Sequence, residues 1–207
     1  MIKNIIFDFG DIFINLDKQI VYTEIKKYGN PDALVALEAL NKKYEVGAIS
    51  SDDFVKGIQE HYPTAEKEEI ASIWNAMLLD FPDYRLDFIE ALSQDQNYRL
   101  FLLSNTNALH ISRVEEIMGT EKYNRFKACF EQFYLSHEIH LRKPNTDIYE
   151  FVLSENNLKA SATFFVDDTK ENTDAASSIG ITTWNLLVGQ EDIIDIKTKL
   201  EHVRPSL

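Results

Sequence analysis

The sequence predicts an α/β protein with a mainly parallel sheet at its core and an all-helical unit inserted early in the chain. Three observations predict it. Residues 2–7 form a short, mostly apolar run without helical period, as expected of a strand buried on both faces. Residues 17–88 carry only helical spacing, with no convincing strand. Beyond residue 99, short apolar runs alternate with helical stretches, the rhythm of βα units feeding a parallel sheet.

Taken in order, the first strand ends at Asp8, and Gly10 lets the backbone turn two residues later. Residues 12–16 are a second short apolar segment, expected to form a turn and hairpin just past Asp8. Val21, Ile25 and Tyr28 then recur at helical spacing, as do Leu34, Leu37, Leu40 and Tyr44. Ser50 to Asp53 reads as a helix start before Phe54, Ile58 and Tyr62. Pro63 breaks that helix, and Thr64 is expected to cap the next, which carries Ile70, Ile73, Trp74 and Met77. Pro82 opens a further helix with Leu86, Ile89 and Leu92 on one face.

The α/β rhythm follows. Strands are expected at 100–103, 132–135, 163–166 and 181–187. Helices are expected at 109–118, 147–153, 171–179 (closed by Gly180) and 192–202. The expected division is a core of residues 1–16 and 89–207 with a helical insert of 17–88.

Composition bounds the function. Hydrophobic residues make up 44%, enough for a sizeable core. No apolar run is long enough to span a bilayer, and Asp8 interrupts the N-terminal apolar run too early for a signal peptide. The single cysteine, Cys129, cannot pair internally, which suits a reducing cytoplasm, and it reads as a small apolar filler. A net charge of -13 argues against nucleic acid or an anionic membrane as partner. An anionic small molecule then needs local cations, such as a metal, a lysine or helix N-termini.

Four expected strand ends carry polar groups: Asp8, Ser104, the loop before Lys143, and Asp167 with Asp168. In a parallel sheet these ends share one edge, where ligands bind. Each residue alone has a plainer reading: Asp8 as the start of a turn, Ser104 as a helix cap, Lys143 as a solvated surface lysine. As a set they point to shared chemistry. Carboxylates close together repel unless a cation sits among them. Oxygen ligands without sulfur favour Mg²⁺. A phosphoryl group fits between a metal, a lysine and a strand-end hydroxyl.

The same residues resemble the haloacid dehalogenase superfamily. The motifs are Phe7-Asp8-Phe9-Gly10-Asp11, then Leu103-Ser104-Asn105-Thr106-Asn107, then Arg142-Lys143-Pro144 followed by Ile148-Tyr149, and last Phe165-Val166-Asp167-Asp168 with Asn172. The Ser-Asn-Thr-Asn, Tyr134-Leu135-Ser136 and Arg-Lys-Pro segments resemble most the bacterial sugar-phosphatase branch that includes α-glucose-1-phosphate phosphatase. The resemblance implies a Rossmann-like core with an α-helical cap, and Mg²⁺-dependent hydrolysis of a small phosphate monoester, a sugar phosphate. It implies Asp8 as nucleophile forming an aspartyl-phosphate, with Asp8, the Gly10 carbonyl and Asp168 as metal ligands. Asp167 would act through water or pair with Lys143. Ser104 and the Asn105 backbone N–H would hold phosphate oxygens, and Lys143 would neutralise the phosphate and Asp8. The alternatives are a metal-independent 2-haloacid dehalogenase and a catalytically weak phosphate-binding protein on the same fold.

One position departs from the superfamily's common pattern. Many such phosphatases carry a second Asp two residues after the nucleophile as general acid and base; here that residue is Gly10, with Asp11 beside it. Asn172 is expected to order the fourth-motif loop. Trp74 and Trp184 read as core, Asp11 and Asp17 as either site edge or solvated turn. His110, His137 and His140 read as surface or loop residues, and His61 and His202 as helix-end residues.

Overall fold

The computed structural model describes residues 1–29 and 33–202. Residues 30–32 and 203–207, which the expected insert and core include, lie outside the described residues.

Five parallel strands build the sheet: β1 (Asn4–Phe7), β2 (Arg99–Ser104), β3 (Gln132–Leu135), β4 (Thr163–Asp167) and β5 (Thr182–Asn185), in the order β3-β2-β1-β4-β5. The Rossmann-like α/β class is therefore present. β1 is central, and its run of Ile5, Ile6 and Phe7 is fully buried. Each such side chain contributes about 1.5–3 kcal/mol through burial, which explains the absence of polar alternation. Odd and even residues face opposite sides. Ile5 and Phe7 pack with Leu100, Leu102, Phe164 and Val166. Ile6 packs with Phe101, Leu103 and Phe165 on the other face.

The first face is covered by α5 (Asp83–Ser93), α6 (Ala108–Met118), α7 (Thr120–Ala128) and α11 (Ile196–His202). The second is covered by α9 (Thr146–Glu155) and α10 (Lys170–Ser178). A short helix, α8 (Ser136–Ile139), follows β3 directly.

The inserted helices are α1 (Ile20–Ile25), α2 (Leu34–Glu45), α3 (Ser51–His61) and α4 (Lys67–Asn75). They share a separate cluster that includes Val21, Leu37, Tyr44, Phe54, Ile58, Ile70 and Trp74. The expected division at 88/89 falls inside α5, whose Leu86, Ile89 and Leu92 pack with the sheet cluster. The segments entering and leaving the insert run side by side: Asn15 N donates to Asp80 O, Leu79 N to Asn15 O, and Asp17 N to Met77 O, at 2.9–3.0 Å. The expected hairpin past Asp8 is instead a tight loop, with Phe13 N and Ile14 N both donating to Phe9 O, and Leu16 bridging antiparallel to Leu78.

Several local expectations change. Ser50 caps α3 through Asp53 N, but Thr64 does not cap α4. Glu66 does, in a reciprocal box with Glu69, because a carboxylate can accept the N-terminal N–H that a hydroxyl would otherwise take. Helix α7 was absent from the expectation; only Tyr123 and Phe126 of its residues are buried, too sparse an apolar stripe to signal it. The final helix is preceded by a 3₁₀ turn, Ile193–Asp195, capped by Asp192. Among the described residues, no helix is long and apolar enough to cross a membrane.

Candidate active site

Connections from β1 and β2 move to one side of the sheet, and β4 and β5 lie on the other, so the chain reverses direction across β1 and β4. In open α/β sheets that reversal opens a crevice at the carboxyl ends of the strands. The register places Phe7 beside Val166, so Asp8 and Asp167 are the next residues out on adjacent strands. Asp8 N donates to Val166 O at 2.9 Å, which holds Asp8 at the lip of the crevice.

Lys143 reaches this point from the loop before α9 and is 1% exposed. Its Nζ lies 2.7 Å from Asp8 Oδ1, 2.7 Å from Asp167 Oδ2 and 2.9 Å from the Leu103 carbonyl. Those three contacts use all three ammonium donors. Burial alone would lower the Lys143 pKa, but Asp167 and Asp8 hold it above its ordinary value. Asn105 fixes the lysine's backbone: its Oδ1 accepts from Lys143 N, and its Nδ2 donates to Lys143 O, both at 2.9 Å. The sequence reading assigned Asn105 only a backbone role, because nothing in a strand-end tetrapeptide shows what its amide faces.

Asp167 is fully buried and saturated by protein donors. Oδ1 accepts from Thr169 N and Asn172 Nδ2, and Oδ2 from Lys143 Nζ and Asn172 Nδ2. Tyr149 OH donates to Asn172 O, which locks this loop against α9. Asn172 therefore orders the fourth-motif loop. Asp168 is placed differently: its Oδ2 lies 2.5 Å from Lys18 Nζ, which also reaches Asp11 Oδ2 at 2.8 Å. Lys18 is the site residue that sequence reading missed, since no motif ties a lysine ten residues past Asp8 to a strand end far along the chain.

Among the described residues, four carboxylates, Asp8, Asp11, Asp167 and Asp168, thus meet two ammonium groups, Lys18 and Lys143. Burial pushes the Asp8 pKa up to about 7, with Lys143 opposing and Asp167 and Asp168 adding to the rise. Burial likewise raises that of Asp168, against the pull of Lys18. One oxygen from each of Asp8, Asp167 and Asp168 lies within 4.8 Å of the others. A hard divalent cation fits this excess of buried oxygen charge.

Ser104 ends β2, is 3% exposed and lines the crevice. It does not cap α6; Asn107 does, accepting from His110 N at 3.0 Å. Asp11 has φ 55°, a left-handed conformation that Asp tolerates, and accepts from Leu16 N as well as pairing with Lys18. Asp17 turns its carboxylate to Gln19 N and Ile20 N at the start of α1.

The insert closes over this edge and leaves a cavity of about 630 Å³. His110 belongs to that closure, contrary to its surface assignment. It is buried, bonds Trp74 O through Nε2 at 3.1 Å, and stacks on the Trp74 ring at 5.2 Å. Burial lowers its pKa to about 4, so it is neutral at pH 7. Tyr44 OH accepts from Leu109 N, an otherwise orphan donor in the first turn of α6. His140 Nδ1 contacts Val46 O at 2.9 Å, and Arg142 binds Glu45 through Nε and Nη2. Trp184 sits in the sheet cluster, as expected.

A strand-end carboxylate braced by a buried lysine, under a helical insert, defines an α/β enzyme with a covered active-site edge. The chain matches the haloacid dehalogenase-like hydrolase family over residues 2–180 and belongs to that family; it is a hydrolase. It is 27% identical over 190 residues to a D-ribitol-5-phosphate phosphatase of Bacteroides thetaiotaomicron, covering 89% of this chain and 91% of the relative. Its fold superposes with a TM-score of 0.77 on a haloacid dehalogenase family enzyme of the same organism, solved with magnesium and inorganic phosphate; identity is 31%, covering 92% of this chain and 97% of the other. A predicted haloacid dehalogenase-like family hydrolase from Porphyromonas gingivalis superposes with a TM-score of 0.80 at 25% identity over the full length of both chains.

Proposed function

We propose that the chain is a Mg²⁺-dependent phosphatase acting on a small phosphate monoester of a sugar or sugar alcohol, with the insert that α1–α4 form serving as its cap. The carrying observation is the charge balance at the sheet edge: four carboxylates against two lysines, with Asp8 lining the cavity and braced by Lys143. The relative named for a sugar-alcohol phosphate and the structure holding magnesium and phosphate support the substrate class and the metal.

In this reading an Asp8 oxygen attacks phosphorus and the bond to the alcohol oxygen breaks, leaving an aspartyl-phosphate. Water then attacks phosphorus, releasing phosphate and restoring Asp8. Asp8, Asp168 and the Gly10 carbonyl would hold Mg²⁺, which would supply the positive charge that lets the acids and the phosphate coexist. Asp167, whose acceptor positions are occupied by protein donors, positions Lys143 and would meet a metal through water rather than directly. Lys143 holds Asp8 in place and offsets the charge on Asp8 and the phosphate. Ser104 Oγ and the Asn105 N–H hold phosphate oxygens. The departing alcohol takes its proton from water, because Gly10 has none to give and Asp11 is committed to Lys18 and Leu16 N.

The test is a panel of phosphorylated metabolites that includes D-ribitol 5-phosphate and α-glucose 1-phosphate, assayed with Mg²⁺ and with EDTA, for wild type and Asp8→Asn. Phosphate release should need both Mg²⁺ and Asp8. Full activity in chelator, or substantial turnover by Asp8→Asn, overturns the reading.

A further inference from the structure

The two ammonium groups at the sheet edge are held differently. Lys143 is 1% exposed, spends its three donors on Asp8, Asp167 and the Leu103 carbonyl, and has its backbone pinned through both N–H and C=O by Asn105. The Lys18 side chain is 46% exposed, and its Nζ meets two carboxylates, Asp168 Oδ2 at 2.5 Å and Asp11 Oδ2 at 2.8 Å. Asp11 is the firmer of those two partners, since its Oδ1 also accepts from Leu16 N at 3.0 Å. The Asp168 carboxylate has a long contact on its other side, 3.5 Å from Thr169 Oγ1.

The backbone around Lys18 is fixed by Asp17. Asp17 N donates to Met77 O, and Asp17 Oδ1 accepts from Gln19 N and Ile20 N at the start of α1. Lys18 thus reaches from the entry of the insert to the residue that follows β4. Both Lys18 and Asp168 line the cavity. Asp168 also belongs to the group of three acids whose oxygens lie within 4.8 Å of one another. An ammonium already in contact with a carboxylate weakens its pull on a second cation, because the two positive charges repel across it. Lys143 cannot give way, since moving it would leave two buried acids unpaired. Lys18 can: its stem is flexible, its head reaches solvent, and Asp11 keeps it paired.

We propose that Lys18 is an internal competitor of the divalent cation for Asp168: cation binding shifts the ammonium off Asp168 and leaves it on Asp11, so that this lysine sets the affinity of the metal site. This rests on the Mg²⁺ site of the function proposed above. The competition is reciprocal. The cation loosens the tie between Lys18 and Asp168, and that tie weakens binding of the cation by the same factor.

The experiment measures Mg²⁺ binding by titration calorimetry, without substrate, for wild type, Lys18→Met, Asp168→Asn and the double variant. Lys18→Met keeps the stem and removes the charge, and it should bind Mg²⁺ about fivefold more tightly or better. In the Asp168→Asn background the same replacement should change binding little, because the shared carboxylate is gone. Wild type supplies a second readout. Acylation of lysine amines, followed by peptide mass spectrometry, should modify Lys18 faster in Mg²⁺ than in EDTA, while Lys122, paired with Asp83 at a distance from the site, reacts equally in both. Unchanged or weaker Mg²⁺ binding by Lys18→Met, or Lys18 labelling indifferent to Mg²⁺, overturns the proposal. The labelling decides the matter even where Lys18→Met does not fold. If neither wild type nor Lys18→Met binds Mg²⁺, the metal site itself has failed, and the competition falls with it.

Discussion

Replacing Lys143 with Met tests the charge arrangement at its centre. Methionine keeps the unbranched shape of the lysine stem, so little cavity forms. What disappears is the one ammonium group lying 2.7 Å from both Asp8 and Asp167, in a residue 1% exposed. Removing one partner of a buried ion pair costs about 3–5 kcal/mol, because the other charge is left without compensation. The Leu103 carbonyl also loses its donor, a further loss of about 1–3 kcal/mol where it is not replaced. Against a typical total stability of about 5–15 kcal/mol, this is a large fraction. The effect depends on pH, with a definite sign. In the metal-free protein the folded-state pKa of Asp8 is already raised from 3.8 to about 7, so folding takes up a proton in that window and stability falls as pH rises through it. Lys143 opposes that rise. Without it the Asp8 pKa moves higher and the decline extends to higher pH. Urea unfolding in EDTA at pH 5 and pH 8 should show a modest loss at pH 5, where the carboxyls can take up protons, and the full loss at pH 8. Turnover with Mg²⁺ should fall about 10²-fold or more under conditions where the variant is folded. A loss below about 1 kcal/mol at pH 8, or equal losses at both pH values, would refute the view that Lys143 holds two buried acids together.

Two further predictions follow from single glycines. Gly47 has φ 65°, and a Cβ there would lie 2.2 Å from the His137 backbone carbonyl. Gly47→Ala should cost about 1–2 kcal/mol for the left-handed conformation alone. It should also push the α2–α3 turn off the core and, on the proposed function, raise KM for sugar phosphates; wild-type stability and KM together would count against it. In the proposed reaction Gly10 leaves the departing oxygen without a side-chain acid, a function typically worth about 10²- to 10⁴-fold. Across a series of aryl phosphates the chemical step should depend steeply on leaving-group pKa, and a shallow slope with chemistry limiting would show that another acid acts.

The fold class was legible because burial of β1 on both faces leaves an uninterrupted apolar run, and because helical and strand periods differ. The local errors have local causes. Thr64 sits two residues before the real cap, and a glutamate at that cap is a less familiar signal than a hydroxyl. Helix α7 buries only Tyr123 and Phe126, so its pattern resembles a polar loop. The strand-end residues Asp8, Ser104, Lys143, Asp167 and Asp168 could be read together because a parallel sheet gathers its carboxyl ends at one edge. Lys18, His110, Glu45 and the Asn105 side chain could not. Each meets its partner across the junction between insert and core or between two loops, and no sequence periodicity encodes those meetings. The side chain of Asp11 is a particular case: its direction follows from a left-handed backbone that the residue type permits but does not require.

The paired segments at 15–17 and 77–80 have a mechanical consequence. A single flexible linker would let the helical insert swing in any direction, and two unpaired linkers would each need to bend independently. Here the two crossings are laced by Asn15, Asp17 and Leu79 backbone bonds, and Asn15 is tied to Asp80 and to Arg85 by side-chain bonds. They therefore bend as one ribbon, with little freedom to shear and with flexing favoured across its plane. Lifting the insert would break its distal contacts at Glu45, Val46 and Tyr44 and would leave the ribbon's own hydrogen bonds in place. Any swing of the insert against the core is thereby expected to follow the single arc that this strap permits.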